Sequence, residues 1–353
     1  MWKPEGLITG IGSTPFLEPE PAIEMVMQTL SLAPHWPQLP KRGDMEGFVL
    51  QFLSPLVDCG ILVRDGEKMY FATEDGDWAN RLAQFYSLYL AVEEGDEGAL
   101  DSFAIPEEAA VGFWAFLRRL ENAGPLAYVK GQVVGPLTVG FRLTDAKGRP
   151  AYYDEQIRDV IVKNLALHAR WQAGKLGKYA RQALVFVDEP GVSIYGQSTY
   201  ITVTREMIVE DLNAVVDGIK AAGAKAGIHS CAAVDWGILY DAGTDIVSFD
   251  AYEYFSSLIP FRNETAEFLG RGGVLAWGII PTSDKAYGET GESLAARLHG
   301  YWNEVAGWGI DPAVVRSLSI ITPACGTGSL DEALARRIYG LLGDLGGLLR
   351  GGR

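Results

Sequence analysis

Cysteine and histidine are scarce in this sequence of 353 residues. The chain contains three cysteines, Cys59, Cys231 and Cys325, and four histidines. An odd and sparse set of cysteines in a long chain is not typical of a disulfide framework, so we expect reduced thiols that are free for metal binding or chemistry. A site that combines thiol and imidazole groups must come from this short list of side chains.

Basic charge and long apolar runs are lacking as well. The 45 acidic residues outnumber the 30 basic ones, and the net charge of −15 repels phosphate backbones and anionic membranes. We therefore expect neither a nucleic-acid partner nor a membrane partner. The first residues lack the basic region and apolar run of a signal peptide, and no later apolar stretch reaches a membrane-spanning length. The sequence predicts a cytoplasmic protein.

Short apolar and β-branched runs alternate with longer amphipathic stretches from about residue 125 onward. This alternation is typical of parallel strands joined by helices. It predicts strands at 7–13, 128–135, 183–188, 225–230, 245–250, 273–280 and 317–322. It predicts helices near 154–176, 204–222, 233–241, 262–270, 290–306 and 330–349, several of them with Thr, Asp or Ser as the N-cap residue.

Seven such strands in one chain of this size predict an α/β fold, a single (β/α)8 TIM barrel that spans residues 1–353 as one domain. The eighth strand is expected near WPQLP at 36–40. Residues 58–125 break the alternation, because a hairpin around Asp65 and Gly66 is followed by helical segments. We expect this segment to be an insertion over the barrel mouth.

Metal-capable side chains collect where the predicted strands end, at the face on which barrels of this kind build active sites. His229 and Cys231 lie two apart on one strand, so they project from the same face and can hold one ion together. Asp250 follows the next strand, and Cys325 lies in the glycine-rich segment after the last one. This mixture of nitrogen, sulfur and oxygen donors fits tetrahedral zinc. A single cysteine in such a context is more often a small buried core residue, so the prediction depends on the set.

Two further segments predict substrate contacts at the same face. VDEP at 187–190 places Asp188 and Glu189 at a strand end, where they can recognise an ammonium or another polar group. Solvated acids at a strand terminus are the alternative interpretation. TGIGST at 9–14 offers backbone N–H groups and the Ser13 hydroxyl to a substrate carboxylate. This segment lacks the dinucleotide-binding fingerprint, so it does not predict a nucleotide loop.

Seven segments follow one another in an order that is shared with a known family. They are TGIGS near the start, KRGDM at 41–45, KGQVVGPLTV at 130–139, FVDEP at 186–190, IHSC at 228–231, TDIVSFD at 244–250 and PACG at 323–326. The ordered set resembles the catalytic C-terminal barrel of cobalamin-independent methionine synthase. That family lies within a wider group with uroporphyrinogen decarboxylase and the coenzyme M methyltransferases. The resemblance covers most of the chain.

For the metal, this resemblance implies zinc bound by His229, Cys231 and Cys325. Asp250 stands where the methionine synthases carry a glutamate. Because aspartate is shorter by one methylene, Glu253 is the alternative carboxylate ligand.

For the substrate, the resemblance implies that Ile11, Gly12 and Ser13 lie against the amino-acid end of a thiol. It also implies that Asp188 is the catalytic-site carboxylate that pairs with the substrate ammonium group.

The implied activity is zinc-dependent methyl transfer to a thiol, which converts homocysteine to methionine. The methionine synthases carry an additional N-terminal barrel that this sequence does not include. We therefore expect methylcobalamin or another methylated corrinoid, free or on a partner corrinoid protein, as donor rather than methyltetrahydrofolate. Leu39 stands where those enzymes have a glutamate that helps to bind homocysteine, so coenzyme M or another small thiol is an alternative acceptor. A metal-free porphyrinogen-type decarboxylase and a non-catalytic zinc module are further alternatives.

Overall fold

The computed structural model describes residues 2–351. Within this range the strands agree closely with the predicted ones after residue 125. The strands are β1 (Leu7–Ile8), β2 (Leu62–Asp65), β3 (Lys68–Phe71), β4 (Leu126–Val134), β5 (Thr144–Asp145), β6 (Ala180–Asp188), β7 (Lys225–Ser230), β8 (Ile246–Phe249), β9 (Val274–Ile280) and β10 (Ser319–Pro323). Only the first predicted strand is much shorter than expected, since β1 contains two residues.

Seven of these strands form one curled, all-parallel sheet in the order β1-β10-β9-β8-β7-β6-β4. The strands are apolar on both faces, as is typical of parallel sheets that are covered by helices. The architecture is α/β and consistent with a TIM-like barrel. Because the strands are parallel, their carboxyl ends meet at one face of the sheet.

The segment 34–38 lies between the two edges of this sheet. His35 forms an isolated parallel bridge with Lys130 of β4, and Gln38 forms one with Ser13, beyond the end of β1. These isolated bridges overlap the predicted eighth strand at 36–40 only in part, so the eighth strand stays a prediction. The pairing ends before Pro40, which has no backbone N–H to donate and starts a short 3₁₀ turn over Pro40–Arg42.

α-Helices alternate with the sheet strands after residue 125, and others lie before them in the chain. They are α1 (Pro19–Thr29), α2 (Ser54–Asp58), α3 (Trp78–Glu93), α4 (Glu97–Leu100), α5 (Val111–Glu121), α6 (Pro136–Arg142), α7 (Glu155–Gly177), α8 (Arg205–Ala221), α9 (Trp236–Asp241), α10 (Ala251–Tyr254), α11 (Arg262–Gly270), α12 (Gly291–Ala306), α13 (Pro312–Ser317) and α14 (Glu332–Gly351). The expected N-caps are present: the side chains of Asp154, Thr204 and Thr290 accept hydrogen bonds from the first turns of α7, α8 and α12.

Residues 58–125 contain the predicted hairpin, in which β2 pairs antiparallel with β3 around Asp65 and Lys68. A second, three-stranded sheet forms where β3 also pairs with β5. Helices α3, α4 and α5 follow, as expected for this segment. Its boundaries as an insertion, its place over the mouth and the single-domain organisation stay predictions. Among the helices of residues 2–351, none is long and apolar enough to cross a membrane.

Candidate metal and substrate site

Three predicted ligands converge at the carboxyl ends of two strands. His229 is the penultimate residue of β7, Cys231 follows that strand directly, and Cys325 lies just beyond β10. Their donor atoms, one ring nitrogen and two Sγ atoms, all lie within 4.8 Å of one another. In tetrahedral zinc sites, Zn–S bonds of about 2.3 Å and Zn–N bonds of about 2.0–2.1 Å put neighbouring donors about 3.6–3.8 Å apart. The three side chains therefore fit a zinc ion with small adjustments.

The imidazole of His229 is oriented by a neighbour on β8. Its Nδ1 lies 3.0 Å from the Oγ of Ser248, and both residues are buried. Its Nε2 is buried too and has no hydrogen-bond partner among the described residues. A buried ring nitrogen without a partner is costly unless something else occupies it. The free Nε2 is thus the donor that His229 offers to a metal ion.

The two thiols of the cluster shift each other's pKa in opposite directions. Cys231 has a lowered pKa, first because the Cys325 thiol stabilises its thiolate and then because His229 does. Cys325 has a raised pKa, because of the Cys231 thiolate beside it and because of burial. Both side chains are partly exposed, unlike the buried Cys59. A thiolate that is already stabilised and within reach of solvent is suited to soft-metal binding.

Asp250, the predicted fourth ligand, is not part of this cluster in the described chain. It is the N-cap of α10, where its Oδ1 accepts a hydrogen bond of 2.9 Å from the backbone N–H of Glu253. The side chain of Glu253 forms an ion pair with Lys285, with 2.6 Å between Oε1 and Nζ. The short side chain of Asp250 is held by its own helix, so the cluster of the described structure has three donors, and the role of Asp250 as a fourth ligand stays a prediction. Three protein ligands with an open position are typical of catalytic rather than structural zinc.

Asp188 lies beside the cluster at the end of β6. It pairs in register with His229 of β7, so the two side chains project from the same face of the sheet. The residue is partly exposed, yet its Oδ1 is buried and has no hydrogen-bond partner in the structure. Burial raises the pKa of Asp188 to about 6, and the positive charge of Lys130 opposes that rise. A shielded carboxylate without a donor is well placed to accept a cationic group of a substrate.

Lys130 is a functional candidate that the sequence analysis missed. It is fully buried on β4, and its Nζ donates to the carbonyl of Ile11 and to Oε1 of Gln132. Burial lowers its pKa to about 8, while Asp188 acts in the opposite direction. The available signal was a lysine within the otherwise apolar run YVKGQVV, at a position that alternation assigns to the barrel interior.

The loop at 11–13, which the sequence predicts to contact the substrate, is held in place by neighbouring residues of the protein. The carbonyl of Gly12 accepts a hydrogen bond of 3.1 Å from the N–H of Gln38. A Cβ on Gly12 would lie 2.6 Å from Cδ of Gln132, so only glycine fits here. The Oγ of Ser13 accepts from the N–H of Gly328, in the turn that follows Cys325. The loop lies next to the thiol cluster, and its contact with a substrate stays a prediction.

Glu189 is bound by the protein's own donors, and its predicted contact with a substrate stays a prediction. It is fully buried, and its two oxygens accept hydrogen bonds from the N–H groups of Leu137, Thr138 and Gly191 and from the Thr138 hydroxyl. Leu137 and Thr138 belong to the first turn of α6, whose N–H groups have no partner within the helix. Burial raises the pKa of Glu189 to about 7, although these donors oppose the rise. The geometry gives Glu189 the role of joining α6 to the end of β6.

We expect Glu189→Ala to lower the free energy of unfolding by about 3 kcal/mol or more, because several buried donors lose their acceptor at about 1–3 kcal/mol each. Glu189→Gln keeps one carbonyl oxygen and should lose less. Urea unfolding of both variants measures the effect. An alanine variant of unchanged stability that has lost only substrate affinity would instead support the substrate contact.

Comparisons with known proteins give distant structural matches. A B12-independent methionine synthase from Shewanella sp. W3-18-1, in complex with selenomethionine, is 16% identical with a TM-score of 0.45, and the match covers 67% of each chain. A Listeria monocytogenes protein assigned as a vitamin-B12 independent methionine synthase is 17% identical with a TM-score of 0.42, over 66% of this chain and 69% of that one. A Sinorhizobium meliloti 1021 protein is 15% identical with a TM-score of 0.38, over 75% and 91%.

No protein-family model matches this sequence, and no curated protein matches it either. Two of the three solved structures carry the name of the family that the motifs resemble. At these identities and TM-scores the likeness does not assign a family or an activity. The function of this chain must therefore be inferred from the site itself.

Proposed function

We propose that this chain is a zinc-dependent thiol S-methyltransferase that methylates homocysteine to methionine. The observation that carries the proposal is the three-donor cluster of His229, Cys231 and Cys325 beside the shielded carboxylate of Asp188. The cluster provides a soft, open metal site for a thiol. The carboxylate provides a partner for an ammonium group on the same molecule. Homocysteine carries both groups.

In this proposal the metal is held by Nε2 of His229 and by the Sγ atoms of the two cysteines. When bound there, zinc supplies Lewis-acid chemistry that keeps a substrate thiol in its nucleophilic thiolate form at neutral pH. The thiolate sulfur forms a bond to the methyl carbon while the bond between that carbon and the donor breaks, and the donor keeps the electron pair.

The protein's own groups orient the acceptor in this proposal. Asp188 pairs with the substrate ammonium group. The positive charge of Lys130 favours the ionised form of the Asp188 carboxylate. Lys130 also fixes the carbonyl of Ile11, so the backbone of the 11–13 loop keeps one conformation against the amino-acid end of the substrate. Holding the thiol and the methyl carbon in line is the main contribution to rate that such positioning makes.

Leu39 supports a second candidate acceptor. It is fully buried in the core, so it offers no polar contact where the methionine synthases have a glutamate for homocysteine. A thiol without an amino group, such as coenzyme M, needs no such contact. We keep this acceptor as the alternative, and a metal-free porphyrinogen-type decarboxylase as the less favoured one, because it gives the thiol pair no role.

The donor and the complete barrel are also part of the proposal. We propose a methylated corrinoid as donor, free or on a corrinoid protein, with methyltetrahydrofolate less favoured, in a cytoplasmic enzyme. We further propose that segment 34–38 is the remaining strand of a (β/α)8 barrel, since it bridges toward both edges of the sheet.

The test is a product assay on zinc-loaded protein with each pairing of homocysteine or coenzyme M with methylcobalamin or methyltetrahydrofolate. We expect methionine from homocysteine and methylcobalamin, identified by mass spectrometry. Methyl-coenzyme M alone would shift the proposal to the alternative acceptor. Zinc-loaded protein that methylates neither thiol with either donor would contradict it.

A further inference from the structure

Three polar side chains form a row across adjacent strands at the level of the metal cluster. Asp188 of β6 pairs in register with His229 of β7, and His229 pairs in register with Ser248 of β8. Registered residues of parallel strands project from the same face of the sheet. Ser248 is therefore fixed by the backbone next to the imidazole, on the side opposite Asp188.

We infer that Ser248 is a positioning residue that orients the imidazole of His229 toward the metal. The Oγ of Ser248 lies 3.0 Å from Nδ1, so this ring nitrogen already has a partner within the protein. The buried Nε2 has no hydrogen-bond partner in the described structure and is left to bind the ion. When Nε2 binds a metal, Nδ1 carries the ring proton, and the Ser248 hydroxyl is then its acceptor.

The physical basis is the cost of leaving a buried polar group without a partner. Ser248 is fully buried and His229 nearly so, so no solvent replaces the hydroxyl if it is removed. The ring then loses the hydrogen bond that fixes its orientation, and Nδ1 is left buried without a partner. Partners of this kind behind a metal-binding histidine typically change metal affinity by about 10–100-fold.

The chain offers a matched control in the adjacent position. Ser230 follows His229 on β7, and its hydroxyl is also fully buried but has no hydrogen-bond partner in the described structure. Removing it deletes the same group, at the same depth, without touching the imidazole. A loss of zinc affinity that occurs in both serine variants therefore reflects packing. A loss in the Ser248 variant alone reflects its hydrogen bond to His229.

This inference rests on the metal site of the proposed function. Two measurements distinguish a failure of the inference from a failure of the proposed function. The first is zinc affinity, measured by competition with a chromogenic chelator. We expect Ser248→Ala to weaken zinc binding about 10–100-fold and Ser230→Ala to leave it unchanged. Equal affinities of the wild type and both variants would overturn the inference while leaving the zinc site intact. A wild-type protein that binds no zinc would contradict the proposed function instead.

The second readout identifies the nitrogen that binds the metal. On addition of zinc, the ¹⁵N shifts of one of the four histidine rings of the wild type should change, which identifies the ligand ring without a variant. We expect zinc at Nε2 and the proton at Nδ1, where the Ser248 hydroxyl accepts it. Zinc bound at Nδ1 would overturn the inference whatever the variants do.

Discussion

Cys325→Ser is expected to lose zinc and methyl transfer together. Structural zinc sites with four ligands bind with about 10–16 kcal/mol, so one ligand contributes about 3 kcal/mol, or more than 100-fold in affinity. A serine hydroxyl does not ionise at neutral pH and is a poor substitute for thiolate. Because the pKa of Cys231 is lowered mainly by Cys325, the remaining thiol should also become harder to ionise. Metal analysis after dialysis against a weak chelator measures the loss.

The control for this variant is Cys59→Ser. Cys59 is buried at the end of α2 and does not belong to the cluster in the described structure. We expect its replacement to leave the zinc content at one ion per chain and to change stability only. Zinc retained in full by Cys325→Ser, or lost equally in Cys59→Ser, would contradict the assignment of the ligands.

The second large effect concerns the charges of Asp188 and Lys130. We expect Asp188→Asn to abolish homocysteine turnover, because the ammonium group loses its partner, and to destabilise the fold, because the fully buried Lys130 loses its counter-charge. In the described structure the Nζ of Lys130 donates to Ile11 and Gln132 and forms no direct ion pair with Asp188, so the loss should fall below the about 3–5 kcal/mol of a broken buried pair, to about 1–2 kcal/mol. Lys130→Met should be destabilising by a similar amount.

The double variant Lys130→Met/Asp188→Asn separates stability from function. It leaves no uncompensated charge, so its free energy of unfolding should recover most of the loss, giving a coupling energy of about 1–3 kcal/mol in a double-mutant cycle. Its turnover of homocysteine should stay absent. Additive losses of stability would show that the two charges do not interact. Normal turnover by Asp188→Asn would exclude Asp188 as the ammonium partner.

The parts of the fold that the sequence predicts are those with local signals. The helix over Arg262–Gly270 has the predicted bounds, and the strands β7, β8 and β9 agree within one residue. In each case a run of apolar residues is bounded by glycine, proline or a capping side chain. The convergence of His229, Cys231 and Cys325 is also local in origin, because each follows or ends a strand, and parallel strands bring those ends together.

The parts that the sequence does not predict depend on partners that are distant along the chain. Lys130 binds the carbonyl of Ile11 across 119 residues, and Glu189 reaches the N–H of Leu137 across 52. Nothing in the residue types distinguishes a carboxylate that caps a helix from one that meets a substrate. The same ambiguity affected Asp250, since an aspartate after a strand is both a common metal ligand and a common N-cap. Only the three-dimensional arrangement decides between the two roles.

The most direct test of the central claim is the X-ray absorption edge of zinc-loaded protein with and without thiol. The account predicts two sulfur ligands, from Cys231 and Cys325, and a third sulfur when homocysteine is added. The Asp188→Asn variant should keep the two cysteine sulfur ligands and need a higher homocysteine concentration to gain the third sulfur. A protein that takes up no zinc, or a zinc site whose ligands do not change with any thiol, would contradict thiol activation at this cluster.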